Sequence, residues 1–318
     1  MVIYRHTKDV DKTKDYTGAE ADGKLLPALQ RTMRALRSDN GLDPNFRHLG
    51  FRLLEVFLST HRSIVLLLGK EEDDPLLGAD ALSLAREQVE KVFAVSLFCE
   101  DPSWAKTYLT DSWRRMFERY LLEKEERHGL SPEHEAFYRQ AFARVEAVRK
   151  GLGIADEVRD LVEYRFFNPK DPKGGPPPHV AGVQRPQEFP SPNGVVGKVS
   201  AARRPFLERW YREYRFFCDF THCGMGKLDL AHLFDPRSGY SSHAKSEYYG
   251  KEVQNAAATS LVASASAATE LATVLDPADG PRLLGVIEYW EWLRPRFLIA
   301  EAMWHLRAED ALPRIVGA

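Results

Sequence analysis

Most of the devices by which a sequence declares an activity or a destination are missing from this chain. Its 318 residues hold three cysteines, Cys99, Cys218 and Cys223. That is too few, and an odd number, for a disulfide framework, so a reducing cytoplasm is the expected setting. The longest apolar run, Ile64 to Leu68, falls far short of the roughly 20 residues that a membrane helix needs. Residues Met1 to His6 lack the apolar core of a signal peptide. Excess charge of either sign is absent too: 44 Lys and Arg against 46 Asp and Glu leave a formal net charge of -2. No global field draws such a chain to nucleic acid or to a membrane, and binding RNA would require a local patch. There is no phosphate loop, no GxGxxG, no nucleophile elbow and no zinc-protease helix, so NTPase, dehydrogenase and hydrolase readings have no footing.

What is present is helical periodicity. A polar N-terminal arm over residues 1–24 precedes apolar residues recurring at helical spacing almost to the end. The pattern predicts helices near 25–38, 46–69, 78–99, 103–128, 132–150, 154–165, 202–223, 243–275 and 280–308. Ser131-Pro132 reads as an N-cap with proline at the first helical position, and Pro295 should kink the last helix. With no convincing strand, the expected fold is an all-α, multi-helix bundle. One segment breaks the pattern: residues 166–200 carry eight prolines and five glycines. This long Pro/Gly-rich loop separates a helical half over 25–165 from a second over 201–318. The two halves are expected to pack as one domain, since the C-terminal half has few helices for a core of its own.

Three helices carry polar groups that could do chemistry. On the 202–223 helix, Phe206, Trp210, Phe217 and Phe220 share one side, while Glu208, Arg212, Arg215, Asp219 and His222 fall nearly opposite. Arg215 and His222, seven residues apart with Asp219 between them, point the same way. Such a pair can hold a phosphate and move a proton if something covers it; left uncovered, the stripe is an ordinary solvated face. On the 78–99 helix, Arg86 and Glu90 project at the edge of the apolar arc formed by Leu82, Val89, Phe93 and Leu97, whereas Glu87, Gln88 and Lys91 read as a wet face. Arg86 and Glu90 are either a bundle-specifying ion pair or ligand-binding groups. His61, in line with Leu54, Leu58, Val65 and Leu68, is a core histidine or a third member of that ligand site. No metal site is expected. Glu125-x-x-His128 occurs once at a charged helix end, and Cys218 with His222 completes no zinc pattern. No cofactor is expected either.

The segments His61-Arg62-Ser63-Ile64, Ala85-Arg86-Glu87-Gln88-Val89-Glu90 and Glu100-Asp101-Pro102, followed by Tyr214 to His222, resemble a bacterial all-helical domain family of unknown function. That likeness implies a cytosolic helical bundle. More narrowly, Arg215-x6-His222 resembles the Arg-x4-6-His motif of the HEPN superfamily, although Phe216 stands where a polar residue often follows the arginine. The resemblance implies an all-helical homodimer that cleaves RNA without metal, in a bacterial defence or toxin role. Arg215 would hold the scissile phosphate and His222 would act as general acid or base while the ribose 2′-hydroxyl attacks. Two other functions stay open: a non-enzymatic helical module that binds a protein partner, and a small-ligand bundle using Arg86, Glu90 and His61 beneath the Pro/Gly-rich loop.

Overall fold

Serine or aspartate followed by proline starts several helices, because the side chain takes the first free amides and proline has no amide to leave unpaired. Asp43 accepts from the amides of Asn45 and Phe46 ahead of Pro44, Ser131 from that of His134 ahead of Pro132, and Ser191 from that of Gly194 ahead of Pro192. The computed structural model describes residues 19–69, 75–126, 131–170, 175–221, 247–275 and 280–316. Among these residues there is no strand, and the protein is an all-α, multi-helix fold. In chain order the helices are α1 (Ala19–Ser38), α2 (Pro44–Leu68), α3 (Pro75–Glu100), α4 (Ser103–Glu126), α5 (Pro132–Gly151), α6 (Asp156–Phe167) and α7 (Pro192–Val196). They continue with α8 (Arg204–Thr221), α9 (Glu247–Ala272), α10 (Gly280–Leu293), α11 (Leu298–Met303) and α12 (Glu309–Val316). No described helix is long and apolar enough to cross a membrane.

The described residues form two units, one running to Asp101 and resuming at Ser191, the other spanning Pro102–Pro190. In the first, α9 is the central element and packs against α1, α2, α3 and α10. Every residue of α9 from Asn255 to Ala272 is buried, which is why the run is rich in alanine and serine rather than amphipathic. Small side chains bring neighbours close: a Cβ on Gly50 of α2 would lie 3.1 Å from the Leu271 side chain. Helix α3 is covered by α2, α8 and α9. Gln88, read from the sequence as part of a wet face, is therefore fully buried and donates to the Phe57 carbonyl at 2.7 Å. The predicted last helix is divided rather than bent. Helix α10 stops at Leu293 ahead of Pro295, and the chain re-enters helix at Leu298, passes through a π-turn at Trp304–Ala308 and ends in α12.

The second unit is built on α4, α5 and α6 around Trp113, Phe117, Leu121, Val145 and Val162. The part of the Pro/Gly-rich segment in this unit is held by its few large side chains. Val180, in a single 3₁₀ turn, is 1% exposed, and the Phe189 ring meets Tyr108 and Trp104 edge-on at 5.0 and 6.1 Å. Arg114 is buried between Asp111 and Glu118, at 2.8 and 2.7 Å.

Candidate functional site

Helices α3 and α8 pack against each other, and the register of their aromatic residues fixes the polar groups along the seam. Phe206, Trp210 and Phe217 of α8 are buried, as the wheel predicts. Phe93 of α3 meets the rings of Tyr211 and Tyr214 edge-on at 6.5 and 6.3 Å, and those two tyrosines stack at 6.1 Å. Two turns before Phe93, Arg86 reaches across the seam. Its guanidinium donates to the Tyr214 hydroxyl at 2.9 Å and lies 5.0 Å from the centre of that ring. Glu90 stands 3.5 Å from the same guanidinium nitrogen, and the Cys218 sulfur also accepts from Arg86.

This geometry leaves the arginine incompletely satisfied. Its side chain is 15% exposed, and its Nε is buried without a hydrogen-bond partner among the described residues. Burial opposes the Arg86 charge, but the bonds to Tyr214 and Cys218 and the nearby Glu90 outweigh it and raise its pKa. Burial raises the Tyr214 pKa, against the pull of Arg86. At pH 7 the seam therefore presents a fixed cation beside a neutral phenol and a half-exposed carboxylate. Arg215, the residue after Tyr214, is exposed. The structure thus joins two groups of residues that the sequence offered separately: Arg86 and Glu90 on α3, and the Arg215 helix. His222 and the side chain of Asp219 lie outside the described residues, as does His128 of the Glu125–His128 spacing.

His61 goes elsewhere. It is fully buried, and its Nδ1 meets the Ser260 hydroxyl of α9 at 2.9 Å. Its Nε2 has no partner among the described residues. Burial dominates and lowers its pKa to about 4; Asp22 opposes that shift and Arg62 adds to it. His61 is thus a neutral core histidine against α9, while Arg86 and Glu90 face α8.

A second polar cluster was not singled out in the sequence. Glu270 of α9 is 0% exposed and receives Arg203 at 2.6 Å and Arg307 from the π-turn. Arg203 also donates to Glu100 at 2.5 Å and to Thr273 at 3.3 Å, and Ser200 donates to Glu100 at 3.1 Å. Burial raises the Glu100 pKa, but its bonds to Arg203 and Ser200 more than reverse this, so its net shift is downward. Burial pushes the Cys99 thiol well above its ordinary range, so it is a poor nucleophile. The cluster ties α3, α9, the start of α8 and the π-turn together.

Among the described residues no three His, Cys, Asp or Glu side chains gather as a metal ion would require. No protein-family model matches the chain, and no curated protein or solved structure matches it.

Proposed function

We propose that the α3–α8 seam is an anion-handling site and that the protein cleaves RNA there without a metal ion. In this reading Arg86 and Arg215 hold a phosphodiester, and His222, seven residues after Arg215 in the sequence, takes the proton of the 2′-hydroxyl as it attacks phosphorus and returns it to the departing 5′-oxygen, leaving a 2′,3′-cyclic phosphate. Asp219, three residues before it in the sequence, is the third candidate. Two copies pairing through the α8 face would complete the site, as in the HEPN-like proteins that the Arg-x6-His spacing resembles.

The observation that supports this reading is the partly buried Arg86 guanidinium, held by Tyr214 and Cys218 one residue before and three after Arg215, with its Nε unpaired among the described residues. A partly desolvated guanidinium with unused donor capacity binds phosphate oxygens more strongly than a solvated one. A phosphodiester there would meet the exposed part of this side chain, 15% of which is open to solvent.

The test incubates purified protein with cellular RNA in EDTA and compares wild type with Arg215→Ala and His222→Ala. General acid–base residues contribute about 10²–10⁴-fold. The expected result is cleavage that survives EDTA and is lost in both folded variants. Absence of cleavage, or cleavage indifferent to both changes, overturns the reading. A second function, a non-enzymatic module binding a protein partner, draws support from Leu122, Phe137, Val148 and Phe167, exposed on α4, α5 and α6. The small-ligand reading loses ground, because His61 and Arg86 face different helices.

A further inference from the structure

The corner where α1 turns into α2 is a cleft of about 530 Å³ lined by Arg37, Arg47, His48 and Arg52, with Asn40 and Phe51 among them and no carboxylate. Four basic side chains in one small cleft stand out in a chain whose net charge is -2. Two acids near the corner, Asp39 and Asp43, accept from backbone amides. Asp39 accepts from the Gly41 amide at 2.8 Å, and Asp43 from those of Asn45 and Phe46 at 2.8 and 3.0 Å. The cations are also positioned. The Arg37 guanidinium lies 4.1 Å from the centre of the Phe51 ring. Arg47 donates to the Asp39 carbonyl at 3.0 Å and to the Asn40 side chain at 3.3 Å, which fixes its fork at the rim. Arg52 pairs only at the surface with Glu55, at 2.7 Å, and both side chains are substantially exposed.

Cations interleaved with an aromatic ring suit a flexible phosphate polymer better than a single small anion, because successive phosphates can meet successive arginines. We infer that this corner is an anchoring site for the phosphodiester backbone of single-stranded RNA, separate from the α3–α8 seam. The choice of RNA as the polyanion rests on the function proposed for that seam. Arg37 and Arg52 contact phosphates, Arg47 sets the position of the cleft wall, and Phe51 keeps Arg37 extended across the opening.

The test is a fluorescence-anisotropy titration of a labelled single-stranded RNA of about twelve nucleotides. The full chain is compared with the exposed-surface double variant Arg37→Ala/Arg52→Ala, and helicity by circular dichroism verifies that both are folded. The double variant should bind at least about tenfold more weakly, and its salt dependence should flatten by about 1.4 in log K against log salt, 0.7 for each lost contact. Equal affinity and equal salt slope in wild type and double variant overturn the inference. So does displacement of the RNA by poly-glutamate at matched charge, which would make the corner a site for acidic peptides. RNA held by this corner but never cleaved would sustain the anchoring site and sink only the function proposed for the seam. Cleavage with an unaltered KM in the double variant would do the reverse.

Discussion

Glu270 and Glu90 each meet arginine, yet they sit at opposite ends of what an ion pair can be. Glu270 is wholly buried between Arg203 and Arg307, and Arg203 carries the network on to Glu100 and Thr273. Glu90 is 48% exposed, 3.5 Å from an arginine that leans mainly on a tyrosine and has one nitrogen unpaired among the described residues. A closed network has no coordination left for a ligand, and its worth lies in specifying how the helices meet. An open one holds its charge in place at little benefit to stability and leaves room for something else to complete it. The same chemistry therefore marks a structural joint in one place and a candidate site in the other.

That comparison can be broken by substitution. Glu270→Gln removes the buried carboxylate that Arg203 and Arg307 share, leaving Arg203 only Glu100, and urea denaturation should find the protein destabilised by about 3–5 kcal/mol. Next in size is the acid sensitivity of His61. Its folded pKa is about 4 against an ordinary 6.5, so between those values the unfolded chain binds the extra proton. Stability should be constant above about pH 6.5 and fall as pH drops toward 4, by roughly 3 kcal/mol in total. The carboxylates add their own acid dependence, so the informative quantity is the difference between wild type and His61→Gln. The variant should lose less stability between pH 7 and pH 4.5, and parallel curves would count against the buried neutral histidine. The smallest effect is expected at the open pair: Glu90→Gln should change stability by no more than about 1 kcal/mol. A loss there as large as at Glu270 would erase the distinction between the two regions.

The helices were legible because apolar residues recur at the helical period and because Ser-Pro and Asp-Pro pairs punctuate the chain. Gln88 was misread because a wheel assumes one wet side, whereas α3 is covered by several neighbours. The Glu270 cluster was invisible for a different reason. Glu100, Arg203, Glu270 and Arg307 come from four distant stretches that only the topology brings together. One signal did exist: between Asn255 and Ala272, Glu270 is the only charged residue, and a lone charge in an otherwise apolar and small-residue helix asks for a buried partner. At the seam, the sequence offered Arg86 with Glu90 and Arg215 with Asp219 and His222 as separate groups. It could not show that Arg86 reaches the hydroxyl of Tyr214, because that contact depends on how α3 and α8 dock.

The most direct test of the seam as a working site is a single substitution read two ways. Arg86→Gln removes the charge and keeps much of the side chain, and both RNA cleavage in EDTA and thermal stability are measured. If Arg86 holds the phosphodiester, cleavage should fall by about 100-fold or more, a size expected for a lost oriented electrostatic contact, while Tm stays close to that of wild type. Cleavage at the wild-type rate, or a collapse of Tm like that expected for Glu270→Gln, would contradict the account and make Arg86 a structural joint like the other.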